Sequence, residues 1–151
     1  MQSRYELFSS SISSIYHFIE KIERHEMVRY GGKGTYAQYL AALYRHPEGL
    51  TAAQMCDICD RDKAAVSRAV NEMEGQGLLK RMSEAVHPYR APLMLTEKGK
   101  EAAEFVCHQA LAAVEAGGKG LSDEERRVLY ASLELIARNL EVISREGIPE
   151  E

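Results

Sequence analysis

The sequence lacks an apolar run long enough to span a membrane, which argues against an integral membrane protein. The pattern of a secretory signal is also missing from its first residues, so we expect a cytoplasmic protein. Its three cysteines cannot all pair within one chain, which argues against a secreted disulfide scaffold. An HExxH run, a GxSxG elbow and a phosphate loop between strand and helix are all absent. We therefore expect no enzymatic activity, no cofactor and no metal site.

Charged residues are ordinary in number but unevenly placed. The 151 residues suit a single domain over 1–151, and 45% hydrophobic with 28% charged residues is an ordinary soluble composition. The net charge is −4, yet residues 60–98 carry seven Lys/Arg against six Asp/Glu. Because nucleic-acid binding depends on local rather than total charge, this middle segment is the candidate nucleic-acid surface.

Two long helices near the chain ends carry apolar seams. The first is predicted over 7–26, and the last follows a capping box formed by Ser122 and Glu125. Their apolar residues recur at alternating spacings of three and four, a heptad-like pattern that needs a packing partner. One small chain is not expected to bury both seams, so we predict a homodimer whose interface includes Ile12, Ile15, Ile19, Leu133, Ile136 and Leu140.

Shorter elements fill the middle of the chain, and their order indicates the fold class. They form a mainly α chain with a small β-hairpin wing, a winged helix-turn-helix with long terminal helices. The predicted elements are a helix over 35–49 capped by Thr35 and Gln38, a helix opened by Thr51 and Gln54, a helix from Asp62 to Gly75 and Gly77, strands at 78–84 and 92–95, and a helix from Thr96 to about 116.

The helix that begins at Asp62 has the residues of a DNA-reading helix. Val66, Val70 and Met73 form its apolar stripe, and its polar residues turn away from that stripe. Arg can grip guanine and Asn can grip adenine with paired hydrogen bonds, while Lys and Ser suit phosphate as well as bases. An ordinary solvated helix face would show the same pattern. The predicted DNA-contacting residues of this helix are Lys63, Ala64, Ser67, Arg68 and Asn71.

The predicted wing loop contains His87, Tyr89 and Arg90. An arginine in such a loop can enter the minor groove, where the negative potential is strongest. Arg90 is therefore a further candidate DNA contact, and a plain surface arginine is the alternative.

The stretch "GLTAAQMCDICDRDKAAVSRAVNEMEGQGLLKR", together with "LMLTEKGKE" after the wing, resembles the MarR (multiple antibiotic resistance regulator) family of transcription factors. The first stretch is similar to the family's helix-turn-helix, and Leu95, Thr96 and Gly99 are similar to its Leu-Thr-x-x-Gly junction. Two positions depart from the family pattern. The wing has "HPYR" in place of an Asp-x-Arg tip, and Asp60 occupies the turn where glycine is common, a position that Asp tolerates.

The resemblance implies a triangular homodimer on double-stranded DNA with a pseudo-palindromic operator. It also implies a winged helix-turn-helix lobe, here 35–95, and a helical dimerisation region, here 5–28 and 96–146. An effector pocket between these parts is implied as well. Tyr36 and Tyr39, with Tyr16, are candidates to line a pocket for a small aromatic effector, and an amphipathic core edge is the alternative reading.

Cysteine supplies the remaining candidate chemistry. Cys56 and Cys59 are three apart on a helix, which suits a redox pair or half of a zinc site, but no second pair follows. Core packing is the simpler reading, because unpaired cysteine is usually buried. Cys107 and His108 are adjacent on a helix and point about 100° apart, so they share a metal poorly.

The sequence thus predicts a dimeric, sequence-specific transcriptional regulator, a repressor modulated by a small molecule. Two alternatives stay open. One is a protein-interaction module that kept the winged fold without reading DNA. The other is a thiol-based redox sensor on the same scaffold.

Overall fold

The computed structural model describes residues 3–82 and 90–149. Within these residues the chain is mainly helical and contains one two-stranded antiparallel sheet, as predicted from the sequence. The elements are α1 (Arg4–Tyr30), a 3₁₀ turn (Gly34–Tyr36), α2 (Ala37–Arg45), α3 (Ala52–Cys59), α4 (Lys63–Gly75), β1 (Leu79–Arg81), β2 (Leu93–Leu95), α5 (Glu97–Gly117) and α6 (Asp123–Glu146).

The chain divides into two compact units, residues 1–114 and 115–151. The division falls inside α5, so the sequence-based partition into a 35–95 lobe and flanking dimerisation segments stays a prediction. In the first unit, α2 is almost wholly buried and lies at the centre of one core. That core is completed by apolar side chains of α3, α4, the sheet and α5, among them Met55, Val66, Val70, Met73, Leu79, Leu93, Ala102 and Val106.

The turn between α3 and α4 has the predicted geometry. Thr51 and Gln54 form the capping box that opens α3. Asp60 then adopts the left-handed conformation, with φ 49° and ψ 54°, where the family commonly has glycine. Asp62 caps α4 by accepting a hydrogen bond from the Ala65 backbone N–H at 2.8 Å. These two aspartates let α4 follow α3 after a turn of only three residues.

The predicted capping box at Thr35 is wrong. A 3₁₀ turn occupies Gly34–Tyr36, and α2 begins at Ala37 after Tyr36, which makes no side-chain capping bond. The close approach of this turn to α1 accounts for it. A Cβ on Gly34 would lie 3.2 Å from the Arg24 carbonyl oxygen, so the chain is pressed against α1 at this point.

The sheet is short and tied to the helix-turn-helix. Leu79 pairs with Leu95 and Arg81 with Leu93 in antiparallel register. A bridge between Leu50 and Leu93 joins the strand to the start of α3. Both predicted strands are present but shorter than the predicted 78–84 and 92–95, since β1 covers only Leu79–Arg81 and β2 only Leu93–Leu95. Residues 83–89, which include most of the predicted wing loop, lie outside the described residues.

The second unit is dominated by α6. Ser122 and Glu125 form the predicted capping box at its start. Arg126 closes the preceding turn by donating to the Glu115 carboxylate at 2.9 Å and to the Gly118 carbonyl at 2.8 Å. No residue of α6 is buried within the described chain, although the helix carries a long apolar stripe.

Candidate nucleic-acid interface

Helix α4 exposes the residues predicted to contact DNA. Lys63, Ala64, Ser67, Arg68 and Asn71 are all exposed, whereas Val66, Val70 and Met73 are buried in the core. The core contacts fix the helix from one side. The opposite side, which carries the five exposed residues and which we call the exposed arc, is presented to solvent as a rigid surface. These residues are thus brought together on one accessible helix face, the arrangement that major-groove reading needs.

The N-terminus of α4 is pre-organised by its cap. The hydrogen bond from the Ala65 backbone N–H holds the pKa of the Asp62 carboxyl below its usual range. The charged carboxylate therefore persists at neutral pH and keeps the first turn closed. A closed first turn fixes the position of Lys63 and Ala64, the residues expected nearest to DNA.

One flank of the exposed arc faces the sheet. Arg81 of β1 donates from Nε to the Glu74 carboxylate at 3.2 Å and from a terminal guanidinium nitrogen to Asn71 Oδ1 at 3.4 Å. The second bond is long, but it turns the Asn71 carbonyl oxygen toward β1. Because an amide oxygen has two lone pairs, Asn71 keeps an acceptor as well as its donors for a base edge.

The other flank of the arc borders a cavity of about 380 Å³, which we call the flank cavity. From α4 it is lined by Ala65, Arg68, Ala69 and Glu72, whose spacing of three and four places them on one side of the helix. Its remaining lining comes from Arg24, Lys33, Thr35, Tyr36, Gln38, Tyr39 and Arg61.

A hydrogen-bond network connects the flank cavity to α4. Glu72 accepts from Lys33 Nζ at 2.7 Å and from the Tyr36 hydroxyl at 3.0 Å, and Gln76 donates to the same hydroxyl at 3.2 Å. The bond from Lys33 lowers the pKa of the Glu72 carboxyl, with a second contribution from Tyr36. Burial chiefly raises the pKa of the Tyr36 phenol, so that its hydroxyl stays protonated as the donor to Glu72.

Two of the three tyrosines predicted to line an effector pocket meet in this cavity. Tyr36 and Tyr39 both line it, and both side chains are otherwise buried in the core. Tyr16 lies on α1 with 62% of its surface exposed, and the residues that line the cavity do not include it. Tyr36 and Tyr39 therefore fit both interpretations of the sequence, since they pack in the core and also line a cavity.

Arg90 is exposed at the point where the chain returns toward β2. Its predicted neighbours His87 and Tyr89 lie outside the described residues. A minor-groove contact by Arg90 stays a prediction.

The cysteines lie at the edge of the core. Cys56 and Cys59 are partly buried and pack against the core cluster. Burial raises the pKa of the Cys59 and Cys107 thiols, which disfavours the thiolate that redox chemistry requires. In the described part of the chain, no group of three or more His, Cys, Asp or Glu side chains is placed to hold a metal ion.

Replacing Cys56 or Cys59 with alanine is therefore expected to lower thermal stability, by about 1 kcal/mol or less, because each removes a sulfur that packs on the core. Peroxide treatment should alter DNA binding of the wild type and of both variants equally. Differential scanning calorimetry and a metal assay on purified protein check this expectation. Stoichiometric zinc that is lost in either variant would contradict it.

The predicted dimer seams lie at the surface of the single chain. On α1, Ile12 is 38% and Ile15 is 55% exposed, with Ile19 partly buried. On α6, Leu140 is 51% exposed, and Leu133 and Ile136 are partly buried. Each unit thus presents an incompletely covered apolar helix face.

Some basic residues beside α4 form no periodic pattern in the sequence. Arg24, Lys33, Arg61 and Arg81 come from four separate segments and share no periodicity. Only the tertiary fold brings them beside α4. Arg24 and Lys33 lie outside the segment 60–98 that the charge pattern marked as a candidate surface.

Helix α3, its tight turn, the exposed helix α4 and the two-stranded sheet follow one another as in a winged helix-turn-helix protein. The model of the MarR family matches residues 30–87. A curated relative, described as an uncharacterized HTH-type transcriptional regulator YybA of Bacillus subtilis (strain 168), is 25% identical over 103 residues, which are 68% of each chain. Over this segment the chain is similar to the MarR family of DNA-binding transcriptional regulators.

Solved structures agree with this similarity. A MarR transcriptional regulator from Methanosarcina mazei Go1 is 25% identical and superposes with a TM-score of 0.78, covering 91% of this chain and 99% of that one. A putative MarR family regulator from Listeria monocytogenes, solved in complex with a 26mer DNA, is 19% identical with a TM-score of 0.73. That pair covers 94% of this chain and 96% of the Listeria chain, and it supports the fold.

Within residues 3–82 and 90–149, no helix combines the length and apolarity needed to cross a membrane.

Proposed function

We propose that this protein is a homodimeric MarR-type repressor that reads a pseudo-palindromic operator and is modulated by a small aromatic effector. The observation that carries the proposal is the exposed arc of α4, with Ser67, Arg68 and Asn71 standing clear of a helix anchored in the core. Such an arc fits the major groove, whose base edges Arg and Asn can distinguish. Reading an operator requires sharing a compartment with the chromosome, so the proposal includes a cytoplasmic location.

The dimer part of the proposal is supported by the apolar faces of α1 and α6. No residue of α6 is buried within the described chain, yet Leu133, Ile136 and Leu140 recur at packing intervals. A second copy with the same faces would cover them by helix-on-helix packing. One recognition helix touches only a few base pairs, so two helices one DNA turn apart supply the specificity that a regulator needs.

The effector part of the proposal is supported by the flank cavity. Tyr36 and Tyr39 form part of its wall, and the volume of about 380 Å³ lies within the range of ligand pockets. A ligand seated there contacts the Lys33–Glu72–Tyr36 network, and Glu72 lies on the reading helix itself. Binding is therefore expected to shift α4 and release the operator.

The test of base reading separates three residues of the arc. Arg68→Ala and Asn71→Ala should each cost roughly 1–3 kcal/mol at the cognate site and relax its sequence preference. Lys63→Ala should instead weaken binding to every duplex alike and flatten the salt dependence. Fluorescence anisotropy on the cognate and on scrambled duplexes at several salt concentrations measures both effects.

Equal losses on every sequence for all three variants would remove the base-reading role of α4. The runner-up function, a winged protein-interaction module, would then explain the fold. Folded protein that binds no duplex at low salt would favour the same runner-up.

A further inference from the structure

The flank cavity is strongly cationic in a chain of net charge −4. Four of its lining residues are basic and only Glu72 is acidic. The basic residues come from four different segments: Arg24 from α1, Lys33 from the loop after it, Arg61 from the turn before α4, and Arg68 from α4. Their convergence is a property of the tertiary fold.

The fold holds two of these cations in place. Gly34 lets the 3₁₀ turn approach the Arg24 backbone closely, which brings the neighbouring Lys33 beside α1. Arg61 donates from Nε to the Gln38 side-chain oxygen at 3.3 Å, and this bond uses one of its five N–H donors. Arg24 and Arg68 make no side-chain hydrogen bond or salt bridge within the described residues. The cavity therefore presents guanidinium donors that are not saturated by the protein.

The negative charge of Glu72, the single acidic residue that lines the cavity, is already balanced by hydrogen-bond donors of the protein. Glu72 accepts hydrogen bonds from Lys33 and from the Tyr36 hydroxyl, so its charge is spread over two donors. An anion entering the cavity meets Arg24 and Arg61 with little opposition from this carboxylate. The remaining polar lining, Thr35 and Gln38, adds neutral groups that can also donate to an oxyanion.

The location of the cavity identifies the anion. Residues Ala65, Arg68 and Glu72 of its wall belong to the flank of the exposed arc of α4. When a helix lies in a major groove, the phosphates of the two strands run along both of its flanks. The flank cavity is thus placed where one strand passes, and the guanidinium geometry suits a phosphate group.

We propose that, in the effector-free protein, the flank cavity holds a backbone phosphate of bound duplex DNA, gripped by Arg24 and Arg61. This inference rests on the proposed docking of α4 in the major groove. The contact carries no base information, so it sets the register of the reading helix and adds affinity for every sequence.

The first experiment compares Arg24→Ala and Arg61→Ala with Lys21→Ala. Lys21 is a matched control, because it is an exposed cation one turn before Arg24 on α1 and does not line the cavity. Each arginine variant should weaken cognate and unrelated duplexes by the same factor, about tenfold, and reduce the salt slope by up to about 0.9 for each half-site. Lys21→Ala should change neither quantity. Arg24→Lys and Arg61→Lys should retain most of the salt slope, and thermal unfolding checks that all variants are folded.

The second experiment locates the phosphate. A series of duplexes, each with one neutral methylphosphonate, should reveal one position per half-site where the wild type loses affinity. That loss should shrink in Arg24→Ala and in Arg61→Ala, because each variant removes one of the two partners that distinguish a charged from a neutral phosphate group. Losses that persist unchanged in both variants would overturn the proposal.

The two experiments distinguish a failure of the phosphate site from a failure of the proposed function. Arginine variants that behave like Lys21→Ala, while Arg68→Ala and Asn71→Ala still relax base preference, overturn the phosphate site and leave base reading intact. Titration with inorganic phosphate at constant ionic strength tests the other source of the anion. Saturable phosphate binding that depends on Arg24 and Arg61, together with unchanged DNA affinity in their variants, would also overturn it.

Discussion

Replacing Ile136 with glutamate is expected to reduce operator binding by a factor of about 100 or more, although the recognition helix is untouched. Ile136 lies in the apolar seam of α6, between Leu133 and Leu140. A carboxylate there would be buried without a partner in the proposed dimer, which is strongly unfavourable. Two half-sites would then be bound by separate chains, and the avidity of the dimer would be lost.

The measurement combines the mass in solution with DNA affinity on the same preparation. Light scattering after size-exclusion chromatography should give a dimer for the wild type and a monomer or unfolded chain for Ile136→Glu. Ala131→Glu is the matched control, because it adds the same charge to the same helix on the opposite side from Ile136. A dimeric Ile136→Glu protein with normal operator affinity would refute the predicted interface.

Gly99→Ala is expected to destabilise the first unit by about 2–4 kcal/mol. A Cβ at this position would overlap the backbone carbonyl of Leu78, and Leu95 Cδ2 would lie only 3.2 Å away. The carbonyl cannot turn aside freely, because it accepts a hydrogen bond from the Thr96 backbone N–H at 3.1 Å. The strain falls where β1, the end of β2 and α5 meet, so the winged lobe should lose its packing on α5.

Gly117→Ala provides the control on the same helix. A Cβ at Gly117 meets nothing within 4 Å, and the helix propensity of alanine should leave stability unchanged or raise it by up to about 1 kcal/mol. Urea denaturation followed by circular dichroism measures both variants. Equal stability of Gly99→Ala and wild type would show that this junction does not depend on the close approach.

The local signals of the sequence predicted the reading helix well because they act over a few residues. Asp62 caps α4, Asp60 accepts the left-handed turn and the Val66–Val70–Met73 stripe faces the core, as expected. Each depends on neighbours within one helical turn, so no tertiary information was needed. The same reasoning failed at Thr35, because the packing of Gly34 against α1 converts the start of α2 into a 3₁₀ turn.

The surroundings of the reading helix were not predictable in the same way. The Arg81 bonds to Glu74 and Asn71 join a strand to a helix, and the Lys33–Glu72 pair joins residues 39 apart in sequence. Such contacts follow from the packed fold and leave no periodic pattern in the chain. The unsaturated cations of the flank cavity belong to this class, which is why sequence reasoning placed only the aromatic residues there.

Affinity selection from a pool of random duplex DNA tests the central claim most directly. The account predicts recovery of an inverted repeat with half-site centres about 10 bp apart, bound far more tightly than either half-site alone. Arg68→Ala and Asn71→Ala proteins should recover pools with relaxed preference at defined positions in each half-site. No enrichment at low salt, or enrichment of a single half-site that a monomer binds as tightly as the full site, would contradict it.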